Sequence, residues 1–297
     1  MSGTRMCEGR VCIVTGAARG IGREHALMLA AHGASVVVND LGGARDGRGT
    51  DPGPAQQVAA EIVAAGGRAV ANTDDVSDWA GAERMVRQAV DEFGGLDVLV
   101  NNAGILRDRM LVNMSEDEWD AVVKVHLRGT FAPCRHAAAY WRERSKAGAV
   151  NDARIINTTS ISGLYANPGQ ANYGAAKAGI AALTLIAAQE LARYGVTANA
   201  VAPGALTRLT EDTKMSDELR RRYDPRWVAP VVTWLASSDS ADITGQVIES
   251  NGMVIAIAEG WHRGPSDTPP AEPGDVGSVV RRLVADSRPS TRMAETV

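Results

Sequence analysis

The chain has 297 residues, 45% hydrophobic and 22% charged, with 35 acidic against 31 basic side chains and a formal net charge of −4. That length can bury a full core, and the charge balance argues against nucleic acid as a partner, because phosphate binding leaves a basic excess. No run approaches the roughly 18 consecutive apolar residues of a membrane span, and residues 1–10 hold no apolar signal core, so a cytoplasmic protein with no membrane partner is expected.

Short β-branched runs alternate with alanine-rich helical patterns along most of the chain. The runs at 11–15, 35–39, 68–72, 96–101, 154–158, 196–201 and 246–249 are nearly all apolar, as strands covered on both faces should be. Helical patterns lie near 20–32, 54–65, 79–93, 115–142, 170–193 and 225–236. Ser115 with Glu118 reads as a capping box, and Asp224 before Pro225 as a cap ahead of a first-turn proline. Repeated β-α-β alternation implies right-handed crossovers and a doubly wound α/β domain over residues 1–263. Residues 41–54 read as a Gly/Pro-rich loop. A Pro/Gly-rich extension follows over 264–297, with a short helix expected at 279–285. Cys7, Cys12 and Cys134 lack metal-ligand spacing and read as small buried hydrophobes, so no metal is expected.

Gly16, Gly20 and Gly22 follow the first strand and open the first helix, with Arg19 and Ile21 between them. Glycines there let the backbone approach a pyrophosphate, and the helix start offers free N–H groups and a positive dipole end. Asp40 ends the second strand, where a carboxylate hydrogen-bonds a ribose 2′-OH and repels a 2′-phosphate. Arg19 pulls toward a phosphate, but Leu41 supplies no second positive charge, so NAD is favoured over NADP.

Tyr173 and Lys177 share one helical face at i and i+4. An ammonium beside a phenol is expected to lower its pKa and make it a usable acid–base. Only four lysines (124, 146, 177 and 214) stand among the 31 basic residues, so a lysine here departs from the chain's habit of using arginine. Ser160, just past the fifth strand, can hold a substrate oxygen or simply cap a loop.

Thr15-Gly16 with Gly20-Ile21-Gly22, Asn101-Asn102-Ala103-Gly104, Ser160, Tyr173 with Lys177, and Pro203-Gly204 together resemble the short-chain dehydrogenase/reductase family from about residue 9 to 263. The resemblance implies a single Rossmann domain with a seven-stranded parallel sheet, an NAD(P) cofactor, and a homodimer or homotetramer. It implies that Asp75 and Val76 lie near the adenine, Asn102, Ala103 and Gly104 along the cofactor, Pro203 and Gly204 beside it, and Thr207 near the nicotinamide amide. The stretches 38–43, 101–109, 125–129 and 169–173 with Val228-Ala229-Pro230 narrow it to one subgroup, the (3R)-hydroxyacyl-CoA dehydrogenases of peroxisomal multifunctional enzymes. His126 stands where the wider family carries a helix asparagine in its catalytic set, and the subgroup shares the histidine.

The expected reaction is hydride transfer between NAD and a secondary alcohol, with an acyl-CoA as the small-molecule substrate. Tyr173 would take the hydroxyl proton, Lys177 stabilise the phenolate and position the cofactor ribose, Ser160 hold the oxygen, and His126 help order a proton path, with Tyr173 and Lys177 also touching the cofactor. Residues 205–226 fall where the family keeps its substrate lid. Arg220, Arg221, Arg222 and Arg226 there read first as a solvated face and second as a site for CoA phosphates. A hydroxysteroid dehydrogenase, a 3-oxoacyl carrier-protein reductase and a non-catalytic NAD-binding regulator are the other readings.

Overall fold

The computed structural model describes residues 5–205, 216–289 and 291. The valine-rich runs form strands β1 (Val11–Thr15), β2 (Ser35–Asn39), β3 (Arg68–Asn72), β4 (Val98–Asn101), β5 (Ala153–Thr158), β6 (Val196–Pro203) and β7 (Val247–Ser250). They lie in the order β3-β2-β1-β4-β5-β6-β7, all parallel, as expected. An eighth strand, β8 (Ile255–Ile257), adds antiparallel to β7 and was not foreseen. It is three residues long, with Ile255 and Ile257 exposed, so no buried-strand pattern announces it.

The helices are α1 (Gly20–Ala31), α2 (Gly53–Ala64), α3 (Trp79–Phe93), α4 (Glu116–Val123), α5 (Gly129–Lys146), α6 (Ile161–Tyr165), α7 (Ala171–Leu191), α8 (Asp217–Arg222), α9 (Ala229–Ala236) and α10 (Pro273–Asp286). Alternation along each strand feeds two cores. Cys12, Val14, Val36, Val38, Val98 and Val100 pack with Leu29 of α1, Ile62 of α2 and Leu235 of α9. Ile13, Val37 and Leu99 point the other way, onto Met85 of α3, Trp141 of α5 and Ala188 of α7. Helices on both faces explain why these strands carry apolar residues at most positions rather than at alternate ones.

The helical pattern expected over 115–142 is broken. Ser115 and Glu118 form the capping box that starts α4, and a π-helical turn at Lys124–Arg128 then precedes α5. Such a turn inserts an extra residue and re-aims the side chains it carries, which here include His126. Asp224 caps a 3-10 turn, Pro225–Trp227, ahead of α9.

The chain parts into two compact units, Met1–Ala258 and Glu259–Val297. The first holds the whole sheet. The second contains α10, which starts on a first-turn proline and runs longer than the 279–285 expected, with Val276, Val280 and Val284 exposed at four-residue spacing. The three cysteines are buried and free; burial pushes the Cys7 thiol up to about 11 and that of Cys134 to about 12, as inert packing residues.

Candidate active site

β1 pairs with β2 on one side and β4 on the other, so the connections leaving β1 and β4 diverge and open a crevice at the strands' C-terminal ends. A cavity of about 340 Å³ fills it. Gly16, Arg19, Gly20, Ile21, Asp40, Asp75, Val76, Asn102, Ala103 and Gly104 all line it.

The glycine turn is held by residues just past β4. The Thr15 hydroxyl accepts from the N–H groups of Asn102 (2.9 Å) and Ala103 (3.1 Å), and the Asn102 amide donates to the carbonyls of Thr15 and Gly16 at 3.0 and 3.1 Å. Gly16 has φ +64, and a Cβ there would lie 2.7 Å from Ala103 Cα. Gly22 does not line the cavity. A Cβ on it would meet the Gly16 carbonyl at 2.2 Å, so its bareness lets α1 close beneath the turn. Among the described residues no side chain caps the N-terminus of α1, and no acid stands in its first turn, leaving donors aimed at the cavity. A bare backbone cradle and uncapped helix donors fit the pyrophosphate of a nicotinamide dinucleotide.

Asp40 accepts from the backbone of Ala18 (3.0 Å) and Gly42 (2.7 Å), which fixes its carboxylate on the cavity wall. The loop after it folds over the crevice. Gly47 packs against Ile105, Leu106 N–H donates to the Arg45 carbonyl at 3.2 Å, and Arg107 Nε donates to the Asp46 carbonyl at 2.8 Å. Sequence reasoning marked residues 41–54 as a loop but missed this docking; Gly47 and Arg107, both in the cavity wall, were the available signals.

Ser160, Tyr173 and Lys177 come together at the start of α6 and on α7, outside the lining of that cavity but joined to it through His126. A Cβ on Gly104 would lie 2.3 Å from the His126 ring, and the same ring stands edge-on to Tyr173, 5.1 Å between centroids at 86°. Ser160 caps α6 by accepting from Ser162 N–H at 3.1 Å, and its hydroxyl lies near enough to Tyr173 to influence the phenol. Lys177 is buried; its Nζ donates to the Thr158 carbonyl at 2.6 Å and lies 5.6 Å from the centre of the Tyr173 ring.

These contacts reverse one expectation. Burial holds the Tyr173 phenol above its ordinary range, the Asp108 charge adds to that, and only the Ser160 hydroxyl opposes it. The ammonium sits over the ring and serves Thr158, and burial pushes it down to about 7. His126 Nε2 meets Ile105, its Nδ1 has no partner among the described residues, and burial with the Lys177 charge lowers its pKa to about 3, so the ring is neutral.

Pro203 ends β6 opposite Ser250, and Gly204 N–H donates to the Ser250 carbonyl at 2.9 Å; neither lines the cavity. Thr207 lies outside the described residues, as do the other residues of 206–215 in the lid stretch. Arg222 pairs with Glu218 at 2.9 Å, and Arg226 lies over the Trp227 ring, arrangements that suit a solvated face.

The short chain dehydrogenase family profile matches residues 10–223. Hydroxyacyl-CoA dehydrogenase ChsB1 of Mycobacterium tuberculosis is 43% identical over 299 residues, covering 97% of this chain and 93% of that protein. Peroxisomal multifunctional enzyme type 2 of Mus musculus is 44% identical over 254 residues, 86% of this chain but 32% of the mouse protein. The crystal structure of a short chain dehydrogenase from Mycobacterium avium superposes with a TM-score of 0.88 at 52% identity, covering 97% of this chain and 98% of that one. With this match on sequence and fold, the chain belongs to the short-chain dehydrogenase family.

Proposed function

We propose that the protein oxidises a (3R)-hydroxyacyl-CoA to the 3-oxoacyl thioester with NAD. The observation that carries this reading is the convergence of Ser160, Tyr173 and Lys177 beside the glycine cradle, His126 bridging the two. The similarity to a hydroxyacyl-CoA dehydrogenase supports the thioester. Asp40 supports NAD over NADP, because its carboxylate, fixed by two backbone donors, repels a 2′-phosphate.

A nicotinamide dinucleotide held by the Gly16–Gly20 turn and the start of α1 would supply the hydride acceptor for the carbinol carbon. The chain's own residues manage the proton and the geometry. Ser160 donates to the substrate oxygen and keeps it beside Tyr173, whose phenolate takes the hydroxyl proton. A phenol above its usual range is a strong base once ionised, and Lys177 supplies the nearby positive charge. Neutral His126 leaves Nδ1 as a buried polar atom next to the phenol ring, a place for a proton path to begin.

Leu185 and Ile186 are exposed on α7, as is Phe131 on α5. Exposed large apolar side chains on neighbouring helices call for cover, which supports a homodimer or homotetramer. The enzymatic reading is tested by NADH formation from a chain-length series of (3R)-hydroxyacyl-CoA, with (3S) epimers and an NADP arm. R-selective reduction of NAD is expected. Activity confined to steroid alcohols, or to NADPH-linked ketone reduction, would overturn it.

A further inference from the structure

Asn172 precedes the tyrosine on which the proposed chemistry rests, and its side chain is fully buried. A buried carboxamide has two donors and one acceptor to satisfy at least once each. Here all are used. Nδ2 donates to the Arg107 carbonyl at 3.0 Å and to the Glu118 carbonyl at 2.9 Å, while Oδ1 accepts from the Tyr173 N–H at 2.7 Å.

Those partners come from three elements. Arg107 belongs to the segment after β4 that lines the cofactor cavity. Its own side chain reaches the Asp46 carbonyl of the loop over the crevice and the Asp117 carbonyl of α4. Glu118 is in the first turn of α4. The Tyr173 N–H is one of the donors that the first turn of a helix leaves without an internal acceptor. Two residues before Arg107, Ile105 meets His126. The catalytic face of α7 and the cavity wall therefore hang from one short segment, residues 105–107, with Asn172 as the tie to α7.

We propose that Asn172 is a positioning residue that sets the start of α7, and with it the Tyr173 hydroxyl, against the cofactor wall. The role rests on the reading of Tyr173 as the acid–base group. It demands asparagine specifically. An aspartate would turn an acceptor toward two carbonyl oxygens, and an alanine would leave both carbonyls and the Tyr173 amide without their partner.

Asn172→Asp, Asn172→Ala and Asn172→Ser, the last retaining a small oxygen acceptor at the helix start, are compared with wild type and Tyr173→Phe. The assay is NAD-linked oxidation of a (3R)-hydroxyacyl-CoA, with NAD affinity followed separately by tryptophan fluorescence. Asn172→Asp and Asn172→Ala are expected to lower kcat by about tenfold or more, since small misplacements of reacting groups are costly. Kd for NAD and KM for the thioester should stay within about threefold of wild type, and Asn172→Ser should fall between. A kcat within about twofold of wild type in a folded Asn172→Asp or Asn172→Ala would overturn the proposal. Parallel loss of NAD binding and kcat, or failure of all three variants to fold, would assign Asn172 to general folding and overturn it too. Tyr173→Phe separates the two levels: turnover there defeats the underlying reading, whereas an inactive Tyr173→Phe beside a fully active Asn172→Asp defeats only the tie.

Discussion

The imidazole of His126 occupies the space that a side chain on Gly104 would need, with Cε1 2.3 Å from the position of a Cβ there. The π-helical turn at Lys124–Arg128 aims that ring at both Gly104 and Tyr173. Gly104→Ala should therefore destabilise the protein by about 1–3 kcal/mol, the usual cost of overpacking. In a His126→Ala background the same substitution should cost less than half as much. Urea unfolding of the four proteins checks this, and additive costs would show that the two positions do not share the space.

Buried histidines make stability depend on acid. Burial alone pushes His25 down to about 3, against an ordinary 6.5 in the unfolded chain. Between those values the unfolded state binds the proton and the folded state does not. The His25 contribution to stability is thus full above pH 6.5 and is lost as pH falls from there toward 3, at about 1.4 kcal/mol per pH unit for one proton. His126 adds loss over the same window. Urea midpoints at pH 7.5, 6 and 5 should fall in wild type, and the slope should ease by about one proton in His25→Leu. An unchanged slope would mean that His25 titrates normally in the fold.

The proposed preference for NAD rests on Asp40. Asp40→Asn keeps one acceptor for the Ala18 and Gly42 amides and removes the charge, while exposed Arg19 remains on the same wall. The ratio of kcat/KM for NADP to that for NAD should rise by about tenfold or more. An unchanged ratio would move the discrimination elsewhere.

Much of this was legible in the sequence because burial leaves a pattern. Short runs rich in valine, isoleucine and alanine marked the seven parallel strands within a few residues, and Ser115 with Glu118 marked the start of α4. The glycines and Asp40 fell where local backbone geometry requires them. Features set by long-range contacts were not legible. Lys124–Arg128 has the composition of an ordinary helix, so its π turn, and the aim of His126, follow from packing on Gly104 and Ile105. Nothing in the spacing of Tyr173 and Lys177 showed that the ammonium would serve the Thr158 carbonyl and leave burial to raise the phenol. Asn172 reads as an ordinary polar residue until Arg107 and Glu118 are brought to it.

The exposed apolar face of α7 makes association testable. Ile186→Asp places a charge where Leu185 and Ile186 stand uncovered. Sedimentation velocity should show wild type as a dimer or tetramer and Ile186→Asp shifted toward smaller species. Identical oligomers in both would remove this face from the interface.

The most direct test of the account is the initial rate of NADH formation from a (3R)-hydroxyacyl-CoA by wild type and Tyr173→Phe, with NAD affinity measured on both. Robust wild-type turnover, a loss of about a hundredfold or more in the variant, and unchanged NAD affinity are expected, as for removal of a general acid–base. Equal turnover by the two proteins would contradict the assignment of Tyr173 and the mechanism built on it.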